Sequence, residues 1–432
     1  MKQVPRLEIV PLGKKAKPYL MKSYLVENAL LSKLSGLERK KYLLAVKVLK
    51  FCYFNGSKSI ADICKYLKVS SPNGISLLND LMDKGLMEKK GFGASKGGRK
   101  PELYGIVNNV VYVLAIDMNI FQTRMTIFNS ANENVVETKT YDIELNNEPH
   151  TLEVLINYIE EFITGSGIDR FTILGIGLSV PGLVDSRKGV NYTYLYFGSK
   201  PVRDIIQERI KIPVFVENDA KAIALSVWRF GVARGRKDVL VLFLNWGIGL
   251  GMILDGKLYR GASGFAGEFS HIPIVEDGEL CICGKLGCLQ TVAAGTTLVK
   301  MAKDGIAAGK SSMIALEVQG DLEKITINSV VHAAMRGDQF AISILSKLGK
   351  NLGKGIAILI QLFNPEMIVL GGKMAESGNY LTTPIQQAIN TYTMSQISSR
   401  CAIETSKMGD DIGLRGAMAV VMEDVFEFIV KK

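Results

Sequence analysis

No stretch of this sequence is apolar for long enough to cross a bilayer. The longest largely apolar run, Val239 to Leu254, is 16 residues, holds three glycines and lies between Asp238 and Asp255, whereas a helical span needs about 20. The first seventeen residues scatter lysines and prolines with no continuous apolar segment. That argues against a secretory signal or an anchor and sets the expectation of a cytoplasmic protein with no membrane partner. Apolar residues are not scarce overall: 47% are hydrophobic and 22% charged, which excludes wholesale disorder and collagen-like repetition. At 432 residues, two or three domains of roughly 100–200 residues are expected.

Acidic residues are scarce in one place. Residues 1–105 contain 21 Lys and Arg against 8 Asp and Glu, while residues 106–432 contain 31 against 34. The net charge of +10 therefore belongs to the first quarter, the signature of a basic module for a polyanion joined to a near-neutral body. Double-stranded DNA is the first candidate. Cysteine is also sparse, and three of the six residues, Cys52, Cys64 and Cys401, stand alone and are expected as buried thiols. Cys281, Cys283 and Cys288 fall within eight residues; in a cytoplasmic chain that clustering points to metal before disulfide.

The basic quarter reads as three helices and a hairpin. Residues 40–54 carry Leu43, Leu44, Val46, Val48, Leu49 and Cys52 at helical spacing, and Asn55-Gly56 stops them. Ser57 or Ser59 can cap a short helix, Ile60 to Leu67. Ser70-Ser71-Pro72 opens a third, Asn73 to Lys84, with proline suited to a first turn. A strand at Leu86 to Glu88, the glycine-rich basic loop Gly91 to Pro101 and a strand at Leu103 to Val107 complete a winged helix-turn-helix, whose last helix enters the major groove. Ser70, Ser71, Asn73, Ser76 and Asn79 are then candidates for touching bases or phosphates, and Lys96, Arg99 and Lys100 for the backbone or minor groove. Taken alone, the loop would read equally well as a solvated turn. Tyr24 to Leu34 is a candidate extra helix.

From Val110 onward short apolar strands alternate with helical patterns, an α/β body. Strands are expected at Tyr112 to Ile116, Arg124 to Phe128, Leu174 to Ser179, Val214 to Val216, Val239 to Leu244, Gly251 to Leu254 and Met367 to Leu370. The expected helices are Leu152 to Phe162, Ala220 to Phe230, Gly295 to Lys303, Ile342 to Phe363 and Leu414 to Val430. The surroundings of Asp117 and Asn245 look alike, each a strand, a turn and a strand, which suggests a duplicated unit.

Five segments taken together resemble the ROK family of repressors, open reading frames and sugar kinases: Ser95 to Pro101, Ser179-Val180-Pro181-Gly182, Glu217-Asn218-Asp219, Gly267-Glu268-Phe269-Ser270-His271 and Cys281 to Gln290. The resemblance, from about residue 40 to the C-terminus, implies an N-terminal winged helix-turn-helix followed by a duplicated actin/hexokinase-like, ribonuclease H-like body. Its divisions are an arm or extra helix at 1–38, the DNA-binding module at 39–107 and the body at 108–432. The body has two lobes, 108–225 with the C-terminal helix 414–430, and 226–413. His271, Cys281, Cys283 and Cys288 match the zinc loop of such proteins, a thiolate-rich set suited to a structural Zn²⁺. The carry-over makes Gly182, Asn218, Asp219, Glu268 and His271 sugar ligands, with Asp219 at the kinases' base position. Asn218 and Asp219 can also be read as a helix cap, and the two readings are compatible.

The sequence departs from the family's kinases at three places. Gln290 stands where many members have a sugar-binding glutamate, which leaves the ligand's identity open between a neutral sugar and a sugar phosphate. The first nucleotide loop has Asn119 and Phe121 in place of glycine and threonine. The second, Asn245 to Gly251, keeps three glycines but carries Trp246. The resulting expectation is a non-catalytic, sugar-responsive transcriptional regulator acting as a homodimer or tetramer on an operator. The alternatives are a sugar kinase with an accessory DNA-binding domain, and a scaffold whose pocket is vestigial.

Overall fold

A computed structural model describes residues 25, 35–94, 100–198 and 200–430. The expected helix at 24–34, except Leu25, and the wing residues Lys96 and Arg99 lie outside them. Ser35 opens the first helix, Gly36–Asn55, with a reciprocal capping box to Glu38, and Gly56 at φ +72° ends it. Ser59 caps Ile60–Leu67 in the same way through Asp62. The third helix, Ser71–Asp83, begins one residue after Ser70 with Pro72 in its first turn. Strands β2 (Met87–Phe92) and β3 (Glu102–Ile106) form the expected hairpin. Strand β1 (Lys58–Ser59) joins β3 as a third member of the sheet, too short to be legible in the sequence.

Each half of the body builds a five-stranded sheet of the same design. In the first, β4 (Tyr112–Met118), β5 (Gln122–Asn129) and β6 (Lys139–Asp142) form an antiparallel meander, and β7 (Ile173–Val180) and β10 (Val214–Asn218) add in parallel. Strands β8 (Val184–Asp185) and β9 (Val190–Asn191) make a separate small hairpin. In the second sheet β11 (Val239–Leu244), β12 (Ile248–Leu254) and β13 (Lys257–Leu258) form the meander, with β14 (Met367–Gly371) and β15 (Ala402–Thr405) in parallel. The duplication is therefore complete strand for strand.

Each sheet's last strand leads to a helix that covers the other sheet. After β10, Asp219–Phe230 packs on β11 and β12; after β15, Ile412–Val430 packs on β4 and β7. Close approach requires glycine here. A Cβ on Gly251 would lie 2.3 Å from the Ala224 Cβ, and one on Gly177 would lie 2.1 Å from the Ala417 carbonyl oxygen. The two helices also cross at Gly416, which has room only for hydrogen against the Ala222 carbonyl oxygen. The lobe boundary expected at 225/226 falls inside the unbroken helix Asp219–Phe230, whose apolar face, Ile223 to Trp228, belongs with the second sheet. The division therefore comes where β10 ends.

The N-terminal module shares a core with the body. Leu49, Tyr53, Phe54, Leu81 and Met87 pack in one buried cluster with Val113, Phe128, Met422, Val425 and Phe426. Burial of this continuous apolar surface makes the module and the C-terminal helix one packing unit.

Candidate functional site

The end of β10 delivers Glu217, Asn218 and Asp219 to the mouth of the helix that follows. Asn218 is its N-cap: Oδ1 accepts from the Lys221 N–H at 3.2 Å, and Nδ2 donates to the Gly182 carbonyl at 3.1 Å and to Asp219 Oδ1 at 3.0 Å. Capping and site geometry are thus the same arrangement, since the cap's amide ties the Ser179 to Gly182 turn to the acid. Gly182 sits at φ +98°, and a Cβ there would lie 2.6 Å from the Thr193 Cβ, so no larger residue fits.

Burial pushes the Asp219 carboxyl up to about 6, with Asp117 and Glu268 adding like charge while the Ala220 N–H, 2.8 Å from Oδ1, opposes the shift. Asp117, at the end of β4, is also raised by burial and accepts from Ser179 Oγ at 2.9 Å. Lys221 is buried and its ammonium lowered by desolvation, against the pull of Glu217, Glu268 and Asp219. Gly182, Asn218, Asp219 and Glu268 therefore form one acidic, hydroxyl-accepting cluster.

His271 ends the turn Phe269–His271 that Glu268 begins, its N–H donating to the Glu268 carbonyl at 3.2 Å. Its side chain faces the cysteines. His271 Nδ1 and the sulfurs of Cys281, Cys283 and Cys288 all lie within 4.8 Å of one another. The Cys281 sulfur is 3.5 Å from His271 Nδ1, and those of Cys283 and Cys288 are 3.6 Å apart. A tetrahedral ion with metal–sulfur bonds of about 2.3 Å and a metal–nitrogen bond of about 2.0–2.1 Å requires ligand separations of roughly 3.6–3.8 Å, so the donor set fits a metal. Gly287, at φ +69°, lets the loop pass the Val275 carbonyl, which a Cβ would meet at 1.8 Å. Gln290 heads the short helix leaving this loop, anchored by the Leu289 N–H on the Ile272 carbonyl at 2.9 Å.

The two nucleotide-type turns are differently altered. Asn119 Oδ1 accepts from the N–H groups of both Phe121 and Gln122 at 2.8 Å, so its carboxamide occupies donors that a phosphate would use in such a turn. Phe121 and Trp246 are 62% and 49% exposed, presenting rings where a kinase loop presents small or hydroxyl side chains. Gly249 and Gly251 make room for Ala220 and Ala224. Their retention reflects helix-on-sheet packing, which the sequence pattern could not separate from phosphate binding.

A charge network missed at the sequence level runs behind the acidic cluster. Glu217 is wholly buried; its Oε1 accepts from the Asn218 N–H at 3.0 Å and its Oε2 from Arg260 Nε at 2.6 Å. Arg260 also reaches Asp424 at 3.7 Å on the C-terminal helix. The neighbouring Glu423 pairs with Arg229 and, at 2.7 Å, with Lys50 of the first helix. Lys50, Arg229, Arg260, Glu423 and Asp424 line a cavity of about 140 Å³ between module and body. An acid ending the apolar strand Val214–Asn218 signals a buried partner, but Arg260 lies too far along the chain to be paired by pattern.

In the N-terminal module, Ser70, Ser71, Asn73, Ser76 and Asn79 all lie exposed on or beside the third helix, and Lys100 is exposed at the start of the hairpin's return.

A family model described as the ROK family matches residues 113–424. The chain belongs to the ROK family. This ROK chain is 29% identical over 391 residues to a xylose repressor of Caldicellulosiruptor bescii, covering 90% of the chain and 97% of that protein. It is 34% identical over 264 residues to a glucokinase of Halalkalibacterium halodurans, covering 60% and 79%. Among solved structures, a ROK family transcriptional regulator described as a homolog of the E. coli MLC protein superposes with a TM-score of 0.76 at 26% identity, covering 91% of this chain and 98% of that one. An alignment of 391 residues cannot avoid the N-terminal module, whereas the similarity to the glucokinase fits within the body.

Titration of Asp219 gives the site a pH signature. Because its folded pKa is raised from 3.8 to about 6, its stabilising contribution is present below pH 3.8 and is lost as pH rises through about 6. Asp219→Asn should therefore raise stability near pH 7.5 by about 3 kcal/mol, a gain that shrinks towards zero near pH 4. Thermal melts at the two pH values check this, and an unchanged difference between them would count against the buried carboxylate.

Proposed function

We propose that this chain is a sugar-responsive transcriptional regulator, probing an operator with the N-terminal module (39–107) and a carbohydrate or sugar phosphate with the body (108–432). The observation that carries this reading is the packing of a helix–turn–helix-ordered module, shared with repressor-type relatives, onto the helix that the acidic cluster addresses through Glu217 and Arg260. The third helix enters the major groove with Ser70, Ser71, Asn73, Ser76 and Asn79, and Lys96, Arg99 and Lys100 engage the backbone or minor groove. Gly182, Asn218, Asp219, Glu268, His271 Nε2 and Gln290 hold the sugar. The relatives' names supply the first sugars to try: xylose, glucose and N-acetylglucosamine.

The metal is zinc in a structural role, held by His271, Cys281, Cys283 and Cys288; it would fix the tautomer of His271 and the position of Glu268. The protein acts in the cytoplasm as a homodimer or tetramer, since one compact module reads few bases and two-fold symmetry doubles the site. Among the described residues no helix is long and apolar enough to cross a membrane. Sugar binding shifts the balance between DNA-competent and incompetent arrangements.

The body is not a kinase in this reading, because Asn119 satisfies the amides of the first turn itself. Asp219 favours the alternative, a sugar kinase with an accessory DNA-binding domain, since a carboxyl near 6 suits a general base. ADP release with hexoses that is abolished by Asp219→Asn would establish that alternative. Gel shifts with genomic fragments test the regulator: a preferred fragment is expected, with affinity falling about a thousandfold between 50 and 200 mM salt for six or more phosphate contacts. Finding no preferred fragment at moderate salt overturns it.

A further inference from the structure

An exposed aromatic cluster stands at the rim of the acidic site and is not accounted for by the binding of a single sugar ring. Tyr192 and Tyr196 are 40% and 41% exposed, stacked with centroids 5.7 Å apart. Phe265 meets Tyr192 edge-on, also at 5.7 Å. Both halves of the cluster are tied to the site. The Tyr192 N–H donates to the carbonyl of Leu183, next to Gly182, and Phe265 precedes Glu268 by three residues.

The loop that holds the tyrosines is locked. Asn191 Nδ2 donates to the Pro181 carbonyl at 2.9 Å, while its Oδ1 accepts from the N–H groups of Thr193 and Tyr194. Thr193 Oγ1 accepts from the Leu183 N–H at 2.9 Å, and Asn147 Oδ1 accepts from that of Tyr196 at 2.9 Å. Leu195 is buried in left-handed backbone at φ +54°, a costly conformation for a bulky side chain, of the kind held in place at binding sites. The reversal it makes sets Tyr196 beside Tyr192. Without a ligand, two large rings fixed in water by a strained, hydrogen-bonded loop gain little for stability.

We propose that Tyr192, Tyr196 and Phe265 form a second carbohydrate subsite, so that the effector is a glycoside of two or more rings, its first unit in the acidic cluster and its next stacked on the aromatic platform. This rests on the sugar-binding reading of the cluster. A sugar ring offers an apolar C–H face and a rim of hydroxyls; flat, rigid tyrosine rings match the face at small entropic cost, while the carboxylates take the hydroxyls of the first ring. The geometry favours a linear saccharide continuing past Gly182 over a lone monosaccharide.

Calorimetric titration of the full chain would compare glucose with cellobiose and maltose, xylose with xylobiose, and N-acetylglucosamine with its β-linked dimer. One disaccharide should bind at least about tenfold more tightly than its monosaccharide. Tyr192→Ala should remove that margin and Tyr192→Phe keep it, with the monosaccharide Kd changing less than threefold in either. Disaccharides binding no better than a monosaccharide that does bind would overturn the platform and leave the sugar reading standing. No saccharide binding, or binding insensitive to Glu268→Gln, would overturn both. A margin that survives Tyr192→Ala, Tyr196→Ala and their combination in a protein with unchanged melting would also overturn the platform.

Discussion

Replacing Glu423 with alanine is expected to cost about 3–5 kcal/mol of stability and to abolish sugar control of DNA binding. Glu423 is only 8% exposed and faces two cations, Lys50 from the first helix and Arg229 from the body. Taking away the shared anion leaves both cations in a poorly solvated junction, the arrangement that makes breaking a buried pair expensive. Arg229 has a partial alternative, since its guanidinium lies over the Phe54 and Trp228 rings at 4.3 and 3.6 Å. Lys50 has no such support, so the first helix should loosen from the C-terminal helix. Lys50→Met separates the two effects: the Glu423–Arg229 pair survives, stability falls by less than about 1 kcal/mol, and the ratio of operator Kd with and without sugar still moves towards one. Coupling of about 1–3 kcal/mol is at stake. Thermal melts with gel shifts in the presence and absence of sugar measure both quantities; a Glu423→Ala protein that keeps full sugar control would remove this junction from the signalling route.

What the sequence made legible divides along a physical line. The helix Ile60–Leu67 and the strands around Asp117 and Asn245 were readable because a cap, a periodicity or a repeated pattern sits within a few residues. The His271 and cysteine cluster was readable because thiolates at such close spacing have few other uses. Interactions between distant segments were not. Nothing near Glu217 names Arg260, and nothing near Lys50 names Glu423. The helix Asn379–Tyr392 was missed because Pro384 lies inside it, where a proline usually ends a helix; here it is buried against Gly349, whose missing side chain leaves it space. Asn119 was readable as the loss of a glycine, but its role in satisfying the turn's own amides appears only with coordinates. The retained glycines of the second turn have a reason that the pattern did not show, since Gly249 and Gly251 answer to Ala220 and Ala224.

Cys288→Ser should remove the metal and, with it, most of the sugar affinity. Of the four donors, Cys288 is the most constrained: fully buried, 3.6 Å from Cys283, and followed by Leu289, whose N–H closes the loop onto Ile272. A serine hydroxyl is a poor ligand where a thiolate is needed, so bound zinc by mass spectrometry should fall from one per chain to near zero. The free energy of a structural zinc site of this type is on the order of 10 kcal/mol, yet the loss should stay local. The hydrophobic core of the second lobe, from Leu240 to Ile389, is drawn mostly from outside the loop, with Ile272 and Ile274 packed on its margin. The segment from Ile272 to Cys288 would then open while the sheets persist, leaving far-ultraviolet circular dichroism nearly unchanged. His271 and Glu268 lie just before that segment and Gln290 just after it, so three of the residues proposed to hold the sugar lose their positions together. Loss of such orientation costs about 10–100-fold in affinity, which titration with the preferred saccharide would read directly. Cys401→Ser, half-buried beside β15 and outside the cluster, is the control and should leave zinc content untouched. Full zinc retention in the Cys288→Ser protein would refute the ligand assignment, whereas zinc loss with unchanged sugar affinity would leave the metal in place as a loop clamp and detach it from the site.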